Sequence, residues 1–290
     1  MFLLRAVGPV LLALATVTAI DRLTFRRGLQ PPGFDPVRRG DGAAAVRRGL
    51  ALAVLAGVLW IGVFGPLGAI GTDIQPDFSQ VHASQLFLLH GLFAAALAIW
   101  YLLGFAGTGG SWTAQLGFRA GRPLPELGIG LAAGVGGWLV VLGVMVAMGS
   151  LIWAFGGREL LPDRPPPMIP WLAGLPILLR LAISVSAGVV EEAFFRGFLQ
   201  PRVGIPMSTA LFVLAHAGYE QPLMLVGVTL LSLLFALLVR WRQNIWAAVA
   251  AHAVFDAVQL LIVVPMALEF APTAEGDGGL LLGLVALIVW

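Results

Sequence analysis

The sequence predicts an all-α fold, a polytopic transmembrane helix bundle of about eight crossings. Three observations carry this. The 290 residues are 59% hydrophobic and only 11% charged, and the mean hydropathy is +0.94. A soluble domain of this length cannot hide so much apolar surface. The apolar residues form long runs without the alternation of barrel strands, and a chain in lipid satisfies its backbone within helices. The charges fall between the runs.

The runs come in order at 2–20, 49–70, 84–106, 127–155, 180–199, 206–218, 222–239 and 244–265, with a shorter one at 279–290. Residues 1–20 read as an uncleaved first helix and not as a signal peptide. The loop that follows carries Arg22, Arg26, Arg27, Arg38, Arg39, Arg47 and Arg48, which resist translocation and place it in the cytoplasm. Threading onward puts 71–83 (Asp73, Asp77) outside and 107–125 (Arg119, Arg122) inside. The proline-rich 156–170 falls outside, Arg196 and Arg202 inside, Tyr219–Gln221 outside, and Arg240 and Arg242 inside. Finally 266–278 (Glu269, Glu275, Asp277) falls outside, and only Arg5, Arg158 and Arg164 lie on the outer side against the bias.

Composition also excludes chemistries. All 17 basic residues are arginine, which rules out a Ser/Lys dyad or a Schiff-base lysine. With no cysteine there is no disulfide, thiolate-bound zinc or thiol nucleophile. The pI near 9.9 does not indicate nucleic acid, because the net charge is only +2 and topology accounts for the arginines. The abundance of Ala, Gly, Arg and Pro suits a bacterial coding sequence, hence a bacterial plasma membrane.

Pro31, Pro32, Gly33 and Pro36 break the first cytoplasmic loop, and Asp163–Pro170 (DRPPPMIP) is a second break. It divides the chain into 1–164, N-terminal transmembrane helices with the arginine-rich loop, and 165–290, the candidate catalytic core. Before it, His90 is the one ionisable residue well inside a run, and a lone polar residue there more often satisfies a neighbour than catalyses. The small-residue stretch 128–137 (GIGLAAGVGG) suits close helix packing. Trp241 and Trp246 look like interfacial anchors. Arg180, about 16 Å along a helix from Glu191, is expected to snorkel to the outer interface, with pairing to a buried acid as the alternative.

After the break, ionisable residues sit inside apolar runs, where each is a functional hypothesis by default. AGVVEEAFFRGFLQ holds Glu191, Glu192 and Arg196; TALFVLAHAGYE holds Phe212 and His216; AAVAAHAVFDAVQL holds His252 and Asp256. Glu192 and Arg196, four apart, share a helix face and can pair. Glu191 lies about 100° away round the helix and cannot share that partner equally. His252 and Asp256 repeat the spacing, so the carboxylate can orient the imidazole, and Phe212 stacks one turn before His216. A carboxylate outside the local ion pair and two imidazoles on three helices suit water-activating hydrolysis.

These runs resemble the signatures of the CPBP family, the CAAX protease and bacteriocin-processing family that includes the Ras-converting CAAX endopeptidase. The family pattern is EExxxR, then FxxxH, then HxxxN or HxxxD. Here it reads Glu191-Glu192-xxx-Arg196, Phe212-xxx-His216 and His252-xxx-Asp256, over roughly residues 165–265. The resemblance implies a membrane-embedded endopeptidase with its active site towards the cytosol, acting on a membrane-bound protein or peptide. It makes Glu191 the general base with His216 assisting, and gives the oxyanion to His252 and Asp256. Glu192, Arg196 and Phe212 are supporting residues. Asp256 stands where the prenyl-protease branch usually has asparagine. An ionised carboxylate cannot donate to an oxyanion, so Asp256 must be protonated, act through His252, or bind a metal, and a prenylated substrate is less expected. A divalent metal such as zinc would take Glu191, His216, His252 and Asp256 as its ligands. The same residues also work as a metal-free glutamate–histidine system. There is no HExxH or GxSG. Two other readings compete: a non-catalytic bacteriocin-immunity or membrane scaffold protein, and an ion-coupled transporter, for which inverted repeats are expected and none is visible.

Overall fold

A computed structural model describes residues 2–35, 41–69, 81–105, 111–119, 123–161, 168–219 and 221–269. The outer-loop acids Asp73 and Asp77, the arginines 38, 39, 122 and 164, and the run 279–290 lie outside the described residues. Within them the chain is all-helical, with no strand. It is an integral membrane protein.

In chain order the helices are α1 (Phe2–Arg26), α2 (Asp41–Leu59, continued by a π-turn at Trp60–Phe64 and by Gly65–Ala69), α3 (Ala83–Phe105), the short α4 (Trp112–Gln115) and α5 (Pro123–Ala154). There follow α6 (Met168–Ala173), α7 (Ile177–Glu191, continued in π geometry over Glu192–Leu199), α8 (Gln200–Ala215), α9 (Pro222–Arg242) and α10 (Trp246–Val258, continued by a π-turn at Gln259–Val263 and by Val264–Glu269). Six stretches on α1, α2, α3, α5, α9 and α10 are long and apolar enough to cross a membrane; they cover the expected runs 2–20, 49–70, 84–106, 127–155, 222–239 and 244–265. The run 180–199 lies on α7, long enough to span but carrying Arg180, Glu191, Glu192 and Arg196. The run 206–218 follows a kink at Gly204 (φ 83°, ψ 170°) beside Pro206. From there to Ala215 the helix rises only about 16 Å, too short to cross about 30 Å of hydrocarbon alone.

Packing explains where the polar helices sit. Small residues on α5 and α7 clamp α10 from two sides: a Cβ at Gly130 would stand 2.4 Å from Ala247 O, one at Gly134 2.6 Å from Ala251 O, and one at Gly188 2.7 Å from Val249 O. The expected small-residue stretch is therefore an interhelical seam. Against the other face of α7, Phe194, Phe195 and Phe198 build an aromatic core with Phe93 and Trp100 of α3. Trp241 is 65% exposed, as an interfacial anchor should be, whereas Trp246 meets Phe118 edge-on. Arg180 corrects its expectation. It is buried, and its Nη1 donates to Leu260 O at 2.9 Å, inside the π-turn of α10. A π-turn shifts the carbonyl ladder, and Arg180 takes up one of those oxygens instead of reaching the surface.

Candidate active site

The last turn of α7 and its π continuation set the site. In that eight-residue stretch every side chain, Glu192 through Leu199, is buried. The π winding keeps Glu192 and Arg196 on one side while Glu191 points elsewhere. Ser208 Oγ donates to Phe195 O at 2.7 Å, tying α8 to this irregular ladder.

The two adjacent glutamates have different partners. Glu192 Oε1 accepts from Arg196 Nη1 at 3.0 Å and from His252 Nδ1 at 2.9 Å. Arg196 also donates to Ser232 O and lies 3.0 Å from Ser232 Oγ, with its guanidinium 4.2 Å from the Phe212 ring centroid. The expected i, i+4 pair exists, and it is one edge of a buried network across α7, α9 and α10. Glu192 Oε2 is buried with no hydrogen-bond partner among the described residues.

Glu191 turns into a cavity of about 200 Å³ whose wall includes His90, Phe212, His216, His252 and Asp256. Its Oε1 stands 3.3 Å from His90 Nε2. Its Oε2 is buried with no hydrogen-bond partner among the described residues. A buried carboxylate oxygen without a protein donor calls for explanation, and a water in the cavity is the ordinary one. His90 Nδ1 lies 2.8 Å from Ser186 Oγ. A carboxylate only accepts, so Nε2 carries the proton towards Glu191, and in the neutral ring Nδ1 accepts from the serine hydroxyl. His90 does satisfy neighbours, as its isolation in the sequence suggests, but one of them is the candidate base.

His216 ends α8. Its Nδ1 lies 2.8 Å from Phe212 O, one of the last-turn carbonyls that a helix leaves unbonded, so Nδ1 is the donor. The Phe212 ring covers it at 4.5 Å, tilted 31°. His252 stacks on Phe235 at 4.9 Å. Its Nδ1 is on Glu192, and its Nε2 stands 3.6 Å from Asp256 Oδ2. Both ring nitrogens thus face carboxylates. Gln259, one π-turn onward, accepts from Trp138 Nε1 at 2.9 Å and also lines the cavity. Among the described residues no three His, Asp or Glu side chains are arranged to hold a metal ion. Of the four residues expected as metal ligands, His252 has Nδ1 committed to Glu192 and Nε2 3.6 Å from Asp256 Oδ2.

All seven residues of the motif set are brought together around this cavity or the network behind it. Sequence reasoning missed His90, Ser186 and Ser232. An ionisable group in the middle of an apolar helix was the available signal for His90, but spacing along one helix says nothing about which other helix it meets.

Residues 173–258 match the family model described as "Type II CAAX prenyl endopeptidase Rce1-like", a segment that contains all three motifs and none of α1 to α5. The chain is 34% identical over 83 residues to the Bacillus subtilis (strain 168) protein named "Uncharacterized protein YpbD". That similarity covers 28% of this chain and 42% of the relative, so the chain spans less than half of that protein's length. No solved structure matches the chain.

Proposed function

We propose that this chain is an intramembrane endopeptidase that hydrolyses a peptide bond of a membrane-bound protein or peptide. The Rce1-like match over 173–258 supports a CAAX-type protease kind of function. The observation that carries the assignment of roles is the division of labour between adjacent acids. Each acid keeps one buried oxygen without a donor among the described residues. Glu192, however, is held by Arg196 and His252 behind the cavity, while Glu191 lines the cavity itself beside His90, His216 and His252.

In the mechanism, a water donates a hydrogen bond to Glu191 Oε2, which takes its proton as the water attacks the scissile carbonyl. His90, fixed by Ser186, holds the other oxygen and fixes the carboxylate's orientation. His216, anchored through Nδ1 to Phe212 O, presents Nε2 as the acceptor or donor that passes a proton to the leaving amine. The oxyanion is met by His252: as an imidazolium it donates from Nε2, with Asp256 and Glu192 balancing its charge. Asp256 thereby acts through the ring instead of donating itself. The cytosolic opening that the family resemblance implies belongs to this reading, as does a substrate that is not prenylated.

The test is processing of candidate membrane peptides in liposomes by wild type, Glu191→Gln and His216→Ala. Loss of a general base is worth about 10²–10⁴-fold, so both variants should fall by that order while remaining folded. Retention of full activity by both would overturn the assignment. A non-catalytic scaffold predicts unchanged partner binding and no cleavage by wild type either.

A further inference from the structure

A second cavity, about 460 Å³, lies at the end of the bundle where α1 and α9 finish. Arg196 belongs to its wall and not to that of the Glu191 cavity. Four separate parts of the chain build it: 27–29, 114–119, 196–205 and 239–245. They are locked together. Ile245 N donates to Gly117 O at 3.1 Å, Gly117 sits at φ +84°, and a Cβ at Gly197 would stand 2.4 Å from Leu116 O. Arg27 reaches across to Pro201 O at 2.7 Å.

The charge of this cavity is one-sided. Arg27, Arg119, Arg240 and the buried Arg196 line it, and no Asp or Glu does. Two other arginines have carboxylate partners: Arg48 pairs with Asp21 and Arg242 with Glu126. Among the described residues Arg27, Arg119 and Arg240 have none. Arg27's single carbonyl bond uses one of its five N–H donors. Three exposed arginines lining one cavity, with no counter-charge among the described residues, make an anion site, and planar forks fit phosphate oxygens best. One acceptor is also left over in this wall. Gln200 Nε2 donates to Ala236 O, while its Oε1 is buried without a donor among the described residues. An occupant that satisfies both features carries anionic oxygens and a hydroxyl. The level in the membrane says where it comes from, since Trp241 projects from the same helix end as interfacial tryptophans do.

We infer that this cavity binds a phosphate headgroup bearing a hydroxyl, of the glycerophosphate type, with Arg27, Arg119 and Arg240 on the phosphate and Gln200 Oε1 accepting from the hydroxyl. The experiment uses the full chain purified in detergent, with bound lipid quantified by native mass spectrometry. Phosphatidylglycerol should bind at least about tenfold tighter than phosphatidylcholine, because choline's quaternary ammonium is repelled by the same arginines and offers no hydroxyl to Gln200 Oε1, and one lost hydrogen bond is worth roughly that factor. Arg119→Gln with Arg240→Gln should remove the preference while the melting temperature in phosphatidylcholine stays unchanged. Gln200→Leu, which keeps every charge, should weaken phosphatidylglycerol more than phosphatidic acid. Glycerol 3-phosphate is the soluble arm: binding as tight as the lipid's makes a free phosphate the ligand, and much weaker binding makes it the bilayer's headgroup. No preference over phosphatidylcholine, or an undiminished preference in the double arginine variant, overturns the site. Equal weakening of both lipids by Gln200→Leu overturns the hydroxyl contact. None of these measurements requires peptide cleavage, so failure here is distinct from failure of the peptidase reading.

Discussion

At the scale of single residues, two neighbouring glutamates differ because a helix turns about 100° between them, and the surroundings complete the difference. Arg196 and His252 converge on Glu192 Oε1, whereas His90 stands 3.3 Å from Glu191 Oε1. That asymmetry makes His90 a positioning residue with a distinct signature. His90→Ala should lower kcat by about 10–100-fold, the usual cost of removing a group that orients a reacting one, with KM little changed. His90→Gln, which can still donate towards Glu191, should recover part of that loss. A purely structural role predicts parallel loss of folded protein in both variants, so melting curves beside the kinetics separate the readings. Glu191 and its two-helix partners show how legible the site was. The i, i+4 pairs Glu192–Arg196, Phe212–His216 and His252–Asp256 could be read from spacing, because helix geometry alone makes them. His90 and Ser186, 96 residues apart, could not, because nothing in a one-dimensional pattern registers α3 against α7.

Among the elements, α10 carries the oxyanion candidate, and its placement depends on glycines that bear no chemistry. Gly188 lies one turn before Glu192 on α7, and a Cβ there would meet Val249 O at 2.7 Å and Ala253 N at 2.9 Å. Both are backbone atoms, so no side-chain rotation relieves the clash. Gly188→Ala should therefore push α10 outward, costing about 1–3 kcal/mol as overpacking does. The shift should also stretch the 2.9 Å contact between His252 and Glu192. Melting in detergent checks the first effect, and a fall in kcat beyond what the melting shift explains checks the second. If activity survives in the folded fraction, α10 tolerates displacement and His252 is not held by this seam. The glycine-rich 128–137 announced a close packing surface, but its partner was unreadable. The π-turns at 60–64, 192–199 and 259–263 left no mark in the sequence either, since a π-turn keeps the same apolar residues and only changes their phase.

For the whole molecule, what remains is which way the bundle faces, because that decides which compartment supplies the substrate. The arginine count between 21 and 49 predicts a cytoplasmic end for α1, and alternation then predicts an outer end for α5. Two exposed residues report these opposite ends: Phe25, 66% exposed near the end of α1, and Phe155, 87% exposed just past α5. The chain has no cysteine, so single-cysteine variants carry one label site each, without background. In intact cells a membrane-impermeant maleimide should label Phe155→Cys, and should label Phe25→Cys only after permeabilisation. Both ends of the bundle are then tested at once, because three expected crossings, α2, α3 and α5, separate the two labelled positions. The reverse pattern would turn the bundle over. The anion cavity at the end of α1 and α9 would then face the outer leaflet, and the peptidase would act on substrates presented from outside. Labelling of both sites from one side would instead mean an even number of crossings between them. That outcome would remove the alternation on which the assignment of every later loop depends.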